Sequence, residues 1–490
     1  MNDPASLRDV ETWLARASGQ PPIEEIKLIR RHLLRLGQEQ PSTSRRQYLL
    51  EGLHMRTIGA IDALIPRLRT VRLPISNHTR QTVRAMQEVL DSLARLGLDA
   101  VEAPDAAGTT ELGTPIDLAL WRIFEALTRH LSLSNLIAAP ASPGAWFNLH
   151  RAYLAVRRHR AETSRPTDAP CDLQTLYART LIAGVMPPSA LSAHEWAFLH
   201  RFLACAKKPL AISDASDNDA PGSTLWVSPE QDMAPMLLER RPPANGTLAI
   251  FVRCDEMLGE IRQALSTLVQ GGRLTDFNVE DAPLRTARIT LRRLREHLSS
   301  PRKRRFPRRR QGYRATLCVG FDEICRLLKT GSGATANLSE WMVVNESPGG
   351  YAAMHLAGLP QKAQVGDLVA MRRDGETTWS ISVVRWALSE NPEHLEFGLE
   401  EVSPRALSGH MTTPGQAPSA HPAALLLPPI PPLREAHALA FSPASRPARE
   451  QTHVFVADRE TTSIREFRLG KPIEQSSGID ICLIAPGEKP

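Results

Sequence analysis

From about residue 6 to residue 205 the apolar positions return every three or four places. Ile23, Ile26, Ile29, Leu33 and Leu36 form one such stripe, with Gly37 placed to end the helix. Val83, Met86, Val89, Leu90 and Leu93 share one face of a second, over 79–97. Pro115 opens a third, carrying Leu118, Leu120, Trp121 and Leu127, and segments 145–159, 172–185 and 191–206 continue the series. Proline, glycine or serine breaks separate them, and no fixed repeat length emerges. The pattern predicts an all-α bundle or scaffold over residues 1–206.

The period then changes. Residues 207–299 read as a small α+β segment, with Leu225–Val227 and Leu248–Val252 as strands. A helix from about Asp255 stops at Gly271-Gly272, and another spans about 283–298. After Arg314 the alternation approaches two, and strands are expected over 315–321, 339–345, 351–357, 367–373, 378–388 and 394–400. Six short antiparallel strands with one apolar face suit a closed barrel, over residues 300–405, because closure leaves no exposed edge. Residues Asp322–Thr335 insert a helical turn into that series. The proline-rich stretch 406–435, ending in Leu427-Pro428-Pro429-Ile430-Pro431-Pro432, reads as an extended linker, and 436–490 as a small β extension of unreadable function. The fold class is thus multidomain α + β.

Charge adds a local feature. Between Arg292 and Arg314 stand eleven Lys or Arg and one acid, Glu296, a charge of +10, whereas the whole chain carries +6, leaving −4 elsewhere. A field so confined marks an anion site, not a property of the fold. Within and after it lie two short patterns. The first is Arg-x-x-x-Arg, read as Arg310 and Arg314, with Arg309 beside them, although Arg304/Arg308 and Arg305/Arg309 share the spacing. The second is Asn-x-Ser-x-x-Gly, formed by Asn345, Ser347 and Gly350.

Their order and strand context resemble the PilZ domain, the bacterial receptor module for cyclic di-GMP. The resemblance runs from about 300 to 405. It implies a PilZ-like six-stranded barrel that takes cyclic di-GMP as ligand, with no further cofactor. Arg309, Arg310 and Arg314 would grip phosphates and guanines, because a guanidinium offers a planar fork of donors and a face that stacks. By the same resemblance Asn345 and Ser347 would bond a guanine edge, and Gly350 would leave room for backbone approach. Ligand binding would order the segment Arg302–Arg314 and signal to the helical domain, the expected docking site for a protein partner. Motility, pili or biofilm control is the process the resemblance implies.

The alternative is a non-enzymatic scaffold with a degenerate barrel, its basic strip binding a protein, RNA or anionic membrane. Nucleic acid is disfavoured, since only Phe306 and Tyr313 interleave the arginines, too few for a stacking platform. No run of about eighteen apolar residues predicts a membrane span, and Met-Asn-Asp-Pro-Ala-Ser lacks a secretory pattern, so the cytoplasm is expected. Cysteines 171, 205, 254, 318, 325 and 482 stand apart without metal-ligand spacing. His194 and His200 are six apart and face different sides of a helix, unlike a zinc-protease pair. No catalytic constellation is found.

Overall fold

The computed structural model describes the chain apart from residues 1–6, 17–18, 40–41, 103–114, 168, 216–222, 278, 280, 300–306, 331–336, 359–361, 392–393, 413–420, 433, 449–450, 458–463 and 487–490. The arginines at 302, 304 and 305 therefore lie outside the described residues. Contacts divide the chain into two units, residues 1–71, 76–188 and 193–302, and residues 72–75, 189–192 and 303–490.

The first unit opens with eight helices: α1 (Leu7–Leu14), α2 (Pro22–Gln38), α3 (Thr43–Leu68), α4 (Asn77–Val101), α5 (Ile116–Leu136), α6 (Ala145–Arg158), α7 (Leu173–Gly184) and α8 (Ala193–Cys205). Their starts follow local chemistry. Pro22 opens α2, where a missing amide hydrogen costs nothing. Ser76 and Asp172 cap α4 and α7 by accepting from the Thr79 and Thr175 amides. The stripe on α2 buries Ile26, Ile29, Leu33 and Leu36. Gly37, expected to end that helix, remains helical instead, and Glu39 caps it in extended geometry. A four-stranded sheet follows, ordered β1-β4-β2-β3, from β1 (Ile212–Ser213), β2 (Thr224–Val227), β3 (Met236–Leu237) and β4 (Ile250–Arg253). Two more helices, α9 (Asp255–Val269) and α10 (Leu284–Ser299), complete the unit. The segment 207–299 thus packs with the helices, as the buried Glu195–Arg293 pair at 3.2 Å between α8 and α10 shows.

The second unit holds two closed six-stranded antiparallel barrels. The first is ordered β10-β7-β6-β5-β8-β9, from β5 (Arg309–Val319), β6 (Ser339–Ser347), β7 (Gly350–Ala357), β8 (Leu368–Arg373), β9 (Ser380–Asn391) and β10 (His394–Ser403). Between β5 and β6 the expected helical turn is a full helix, α11 (Phe321–Thr330). Trp341 and Phe397 stack at 4.7 Å inside this barrel. One boundary differs from expectation. The first strand begins at Arg309, six residues before 315, so Arg309–Arg314 form part of the sheet and not a loop that orders on binding.

The second barrel replaces the linker and extension. It is ordered β11-β12-β13-β16-β15-β14, from β11 (Leu407–Thr412), β12 (Ala423–Leu427), β13 (Ala438–Phe441), β14 (Thr452–Ala457), β15 (Ile464–Gln475) and β16 (Asp480–Pro486). The stretch 406–435 therefore contributes two barrel strands. Its proline run is a turn, in which Ile430 and Arg434 pair and the Arg434 guanidinium donates to the Pro428 carbonyl at 2.6 Å. Alternate residues of β12 serve two cores. Ala424 and Leu426 pack with Phe441, Phe455 and Phe467 inside the second barrel. Leu425 and Leu427 point the other way, into a layer with Ile324 and Leu327 of α11 and Leu368, Ile381 and Val383 of the first barrel. A strand buried on both faces needs apolar residues at every position. The two barrels share one continuous apolar layer.

Candidate functional site

The site is built where β5, β6, β7, β10 and β9 lie side by side. Arg310 stands opposite Asn345, Asn345 opposite Ala352, Ala352 opposite Gly398, and Gly398 opposite Trp386. Directly opposed residues of antiparallel strands project to the same face. The neighbouring row, Tyr313, Val343, Ala353, Phe397 and Ala387, leads into the barrel core. The Arg310 row therefore lies on the outer wall.

Two bulges set the reach of the arginines. Register slips between Arg310 and Tyr313 on β5 and between Val343 and Asn345 on β6. Four steps along β5, from Arg310 to Arg314, consequently match two steps along β7, from Ala352 to Met354. Arg310 and Arg314 share the outer face across both bulges. Arg309 and Arg310 are exposed and carry no ion pair among the described residues. Arg314 is exposed too and lies 3.5 Å from Glu340, a surface pair of little worth that an anionic ligand can displace.

Ser347 and Gly350 pair at the end of the β6–β7 hairpin, across Pro348 and Gly349, and the Ser347 hydroxyl donates to the Gly350 carbonyl at 3.3 Å. Gly350 has φ of 150°, and a Cβ there would run into the Leu399 carbonyl oxygen of β10. The glycine is required first by the barrel's own strand.

Beneath the arginine row, at the barrel mouth, a polar cluster holds the hairpin. Arg373 of β8 donates to Glu346 at 2.5 Å and to the Tyr351 hydroxyl at 3.2 Å. Tyr313 donates to Glu346 at 3.3 Å, and Tyr351 to Glu401. The Arg373 guanidinium also sits 5.3 and 5.4 Å from the Tyr313 and Tyr351 ring centres. Burial, with Glu346 adjoining, pushes the Tyr313 phenol up to about 12, so it stays a donor. Burial opposes the Arg373 charge, but the phenols and Glu346 outweigh it and raise its pKa further. Glu346 thus neutralises Arg373, and its register partner Arg309 lies on the face of β5 opposite to Arg310.

Sequence reasoning missed Trp386, Gly398 and Arg373. Gly398 was the available signal, because a glycine inside a strand pattern marks a close approach. A Cβ there would enter the Trp386 indole, so the ring lies flat over residue 398. Trp386 is only partly covered and ends the outer row as an aromatic surface. The row joins guanidinium, carboxamide and indole: a cationic fork, a hydrogen-bonding edge and a stacking face.

Comparison with known proteins decides the family. Residues 8–216 match the family model described as the N-terminal domain of the cyclic-di-GMP receptor FimW, and residues 329–407 match its middle PilZ domain. The two together span more than half of the 490 residues. The chain belongs to the PilZ-domain receptor family of the FimW type. This is a family of binding proteins, not of enzymes. The PilZ match takes in Asn345, Ser347, Gly350, Trp386 and Gly398 but begins after Arg309, Arg310 and Arg314, and it stops where the second barrel begins. The cyclic-di-GMP receptor FimW of Pseudomonas aeruginosa is 36% identical over 64 residues, which is 13% of this chain and 10% of that protein. The matched stretch is thus about a tenth of that relative's length. Among the described residues no helix is long and apolar enough to cross a membrane.

Proposed function

We propose that this PilZ-domain protein is a cytoplasmic receptor for cyclic di-GMP and that the ligand lies on the outer wall of the first barrel. The juxtaposition of Arg310 with Asn345 supports this reading most directly. Sequence places them thirty-five positions apart, and strand pairing makes them neighbours. Arg310 and Arg314 on this wall, with Arg309 reaching round from the neighbouring position of β5, supply the charge and bidentate donors for phosphate and for guanine O6 and N7. Asn345 and Ser347 bond a guanine edge, and Trp386 offers a face on which a base stacks. Gly350 acts indirectly, by allowing the hairpin to lie against β10.

Signalling follows from how the outer wall is held. The Glu346–Arg373 contact and the β6–β7 hairpin stand directly behind the arginine row, so engagement of Arg309 and Asn345 draws on that cluster. A response in the helical unit, read by a protein partner and acting on motility, pili or biofilm, is the output this receptor class implies. It requires the ligand to favour one arrangement over another.

The test is isothermal titration of cyclic di-GMP into the full chain, with GTP and cyclic di-AMP as controls. Saturable binding of one or two ligands per chain is expected, lost in Arg310→Ala and weakened about 10- to 100-fold in Asn345→Ala. No binding to the wild-type chain, or unchanged binding in both variants, removes the ligand from this wall. The basic strip would then be tried against RNA and anionic vesicles across a salt series.

A further inference from the structure

The first unit contains a second candidate site, remote in sequence from the arginines. Helices α5, α6, α7 and α8 and strand β3 enclose a cavity of about 490 Å³. That volume falls within the range of small-molecule sites. Its walls are apolar, with Leu131, Trp146, Ala183, Met186, Leu203 and Pro235 among them. Gly184 makes the space possible, since a Cβ there would run into the Trp146 ring.

The polar groups of the lining are few. Thr128 and Thr180 pair their hydroxyls at 3.0 Å. The Asn135 amide lies 3.4 Å from His200 Nε2, and burial pushes that imidazole down to about 4, so it is neutral near pH 7. The remaining group is Arg179, only 8% exposed. Its terminal nitrogens donate to the carbonyls of Ala204 and Ala206 at the end of α8. Its Nε is buried with no acceptor. Among the described residues no aspartate or glutamate lines the cavity.

A buried cation with an unspent donor and no carboxylate among the described lining residues calls for an anionic acceptor, and a lining this apolar calls for a hydrocarbon body. We propose that this cavity binds a small amphipathic carboxylate, its carboxylate at Arg179 and its apolar part against Trp146, Leu131 and Leu203. Asn135 and the threonine pair supply secondary bonds, and Trp146 selects for shape through contact with the body.

The probe is decanoate, titrated calorimetrically into the full chain. Decanol and decyltrimethylammonium serve as the neutral and charge-reversed controls, and a terminally brominated chain serves as a contact quencher of Trp146, read against Trp146→Phe. One decanoate per chain is expected, at least about tenfold tighter than either control, because the charge-assisted bond is the distinguishing contact. Ala183→Leu, which fills the cavity from α7 while keeping the Arg179 guanidinium, should abolish binding, and Arg179→Gln should weaken it about tenfold while leaving decanol unaffected. Thermal unfolding of each variant confirms that the fold persists. Equal affinity for the three probes, binding indifferent to Ala183→Leu, quenching that survives in Trp146→Phe, or no binding at all would each overturn the assignment.

Discussion

Replacing Gly398 by alanine tests the outer wall in one step. The added methyl falls inside the present position of the Trp386 indole, so the ring must swing away or the strands must part. Overpacking of this kind costs about 1–3 kcal/mol. Trp386→Ala alone removes the obstacle together with the packing of a partly exposed ring, at a cost of about 1–3 kcal/mol, below that of a fully buried tryptophan. If the clash with Trp386 is the whole effect, Gly398→Ala in the Trp386→Ala background should cost under about 0.5 kcal/mol, giving a coupling energy of about 1–2 kcal/mol. The assay is urea unfolding of the four members of the cycle, followed by hydrogen-exchange mass spectrometry of the β9 and β10 peptides. The same proteins titrated with cyclic di-GMP should show the two single variants and the double variant weakened alike, by roughly 5- to 150-fold, the worth of one stacked base at 1–3 kcal/mol. Additive stability losses would show that Gly398 meets something other than Trp386. Full affinity in Trp386→Ala would show that no base stacks there.

Four further outcomes are expected. Gly350→Ala, with its positive φ and the Leu399 carbonyl in the way, should lower stability by about 1–3 kcal/mol, whereas Gly312→Ala, which meets nothing within 4 Å, should be near neutral by the same thermal unfolding. Leu426→Ala should cost about 2–5 kcal/mol as a core truncation, and Leu425→Ala should in addition raise hydrogen exchange in β8 and β9 of the first barrel, because its side chain lies in the shared layer. In the first unit, burial lowers His32 and His200 from 6.5 to about 4. The unfolded chain then takes up protons that the fold refuses, so stability is present above pH 6.5 and lost as pH falls towards 4, and His32→Phe should flatten that slope in urea titrations. Asp367 in the second unit behaves oppositely, since burial raises it from 3.8 to about 6. Its contribution is present at low pH and lost as pH rises through that window, so Asp367→Asn should stabilise the second unit by up to ~3 kcal/mol near pH 7.5 and hardly at all near pH 4.

The parts of this chain that were legible in its sequence are those with one dry face. The helices from α2 to α8 and the strands of the first barrel alternate between core and solvent, and periodicity reports that contrast directly. The second barrel was hidden for the opposite reason. Its central strand Ala423-Ala424-Leu425-Leu426-Leu427 has no wet face, carries no alternation, and is followed at once by prolines that read as a spacer. The arginine segment misled in another way. Arg309, Arg310 and Arg314 look like solvated loop residues by charge, yet all three pair on β6, and the Gln311-Gly312 bulge between them leaves no mark in composition. Asn345 and Ser347 were found by their spacing. Trp386 was not, because it joins the Arg310 row only through two further strand pairings, Ala352 with Gly398 and Gly398 with Trp386.

The layer formed by Leu368, Ile381 and Val383 on one side and Leu425, Leu427 and Ile481 on the other also bears on modularity. The family match that ends at residue 407 does not mark an end of cooperativity. A fragment cut there would carry half of an oily seam into water and would be expected to self-associate. Insertions or duplications that separate the halves would need to re-cover that seam before the parts could be shuffled. For folding, the two barrels are one module.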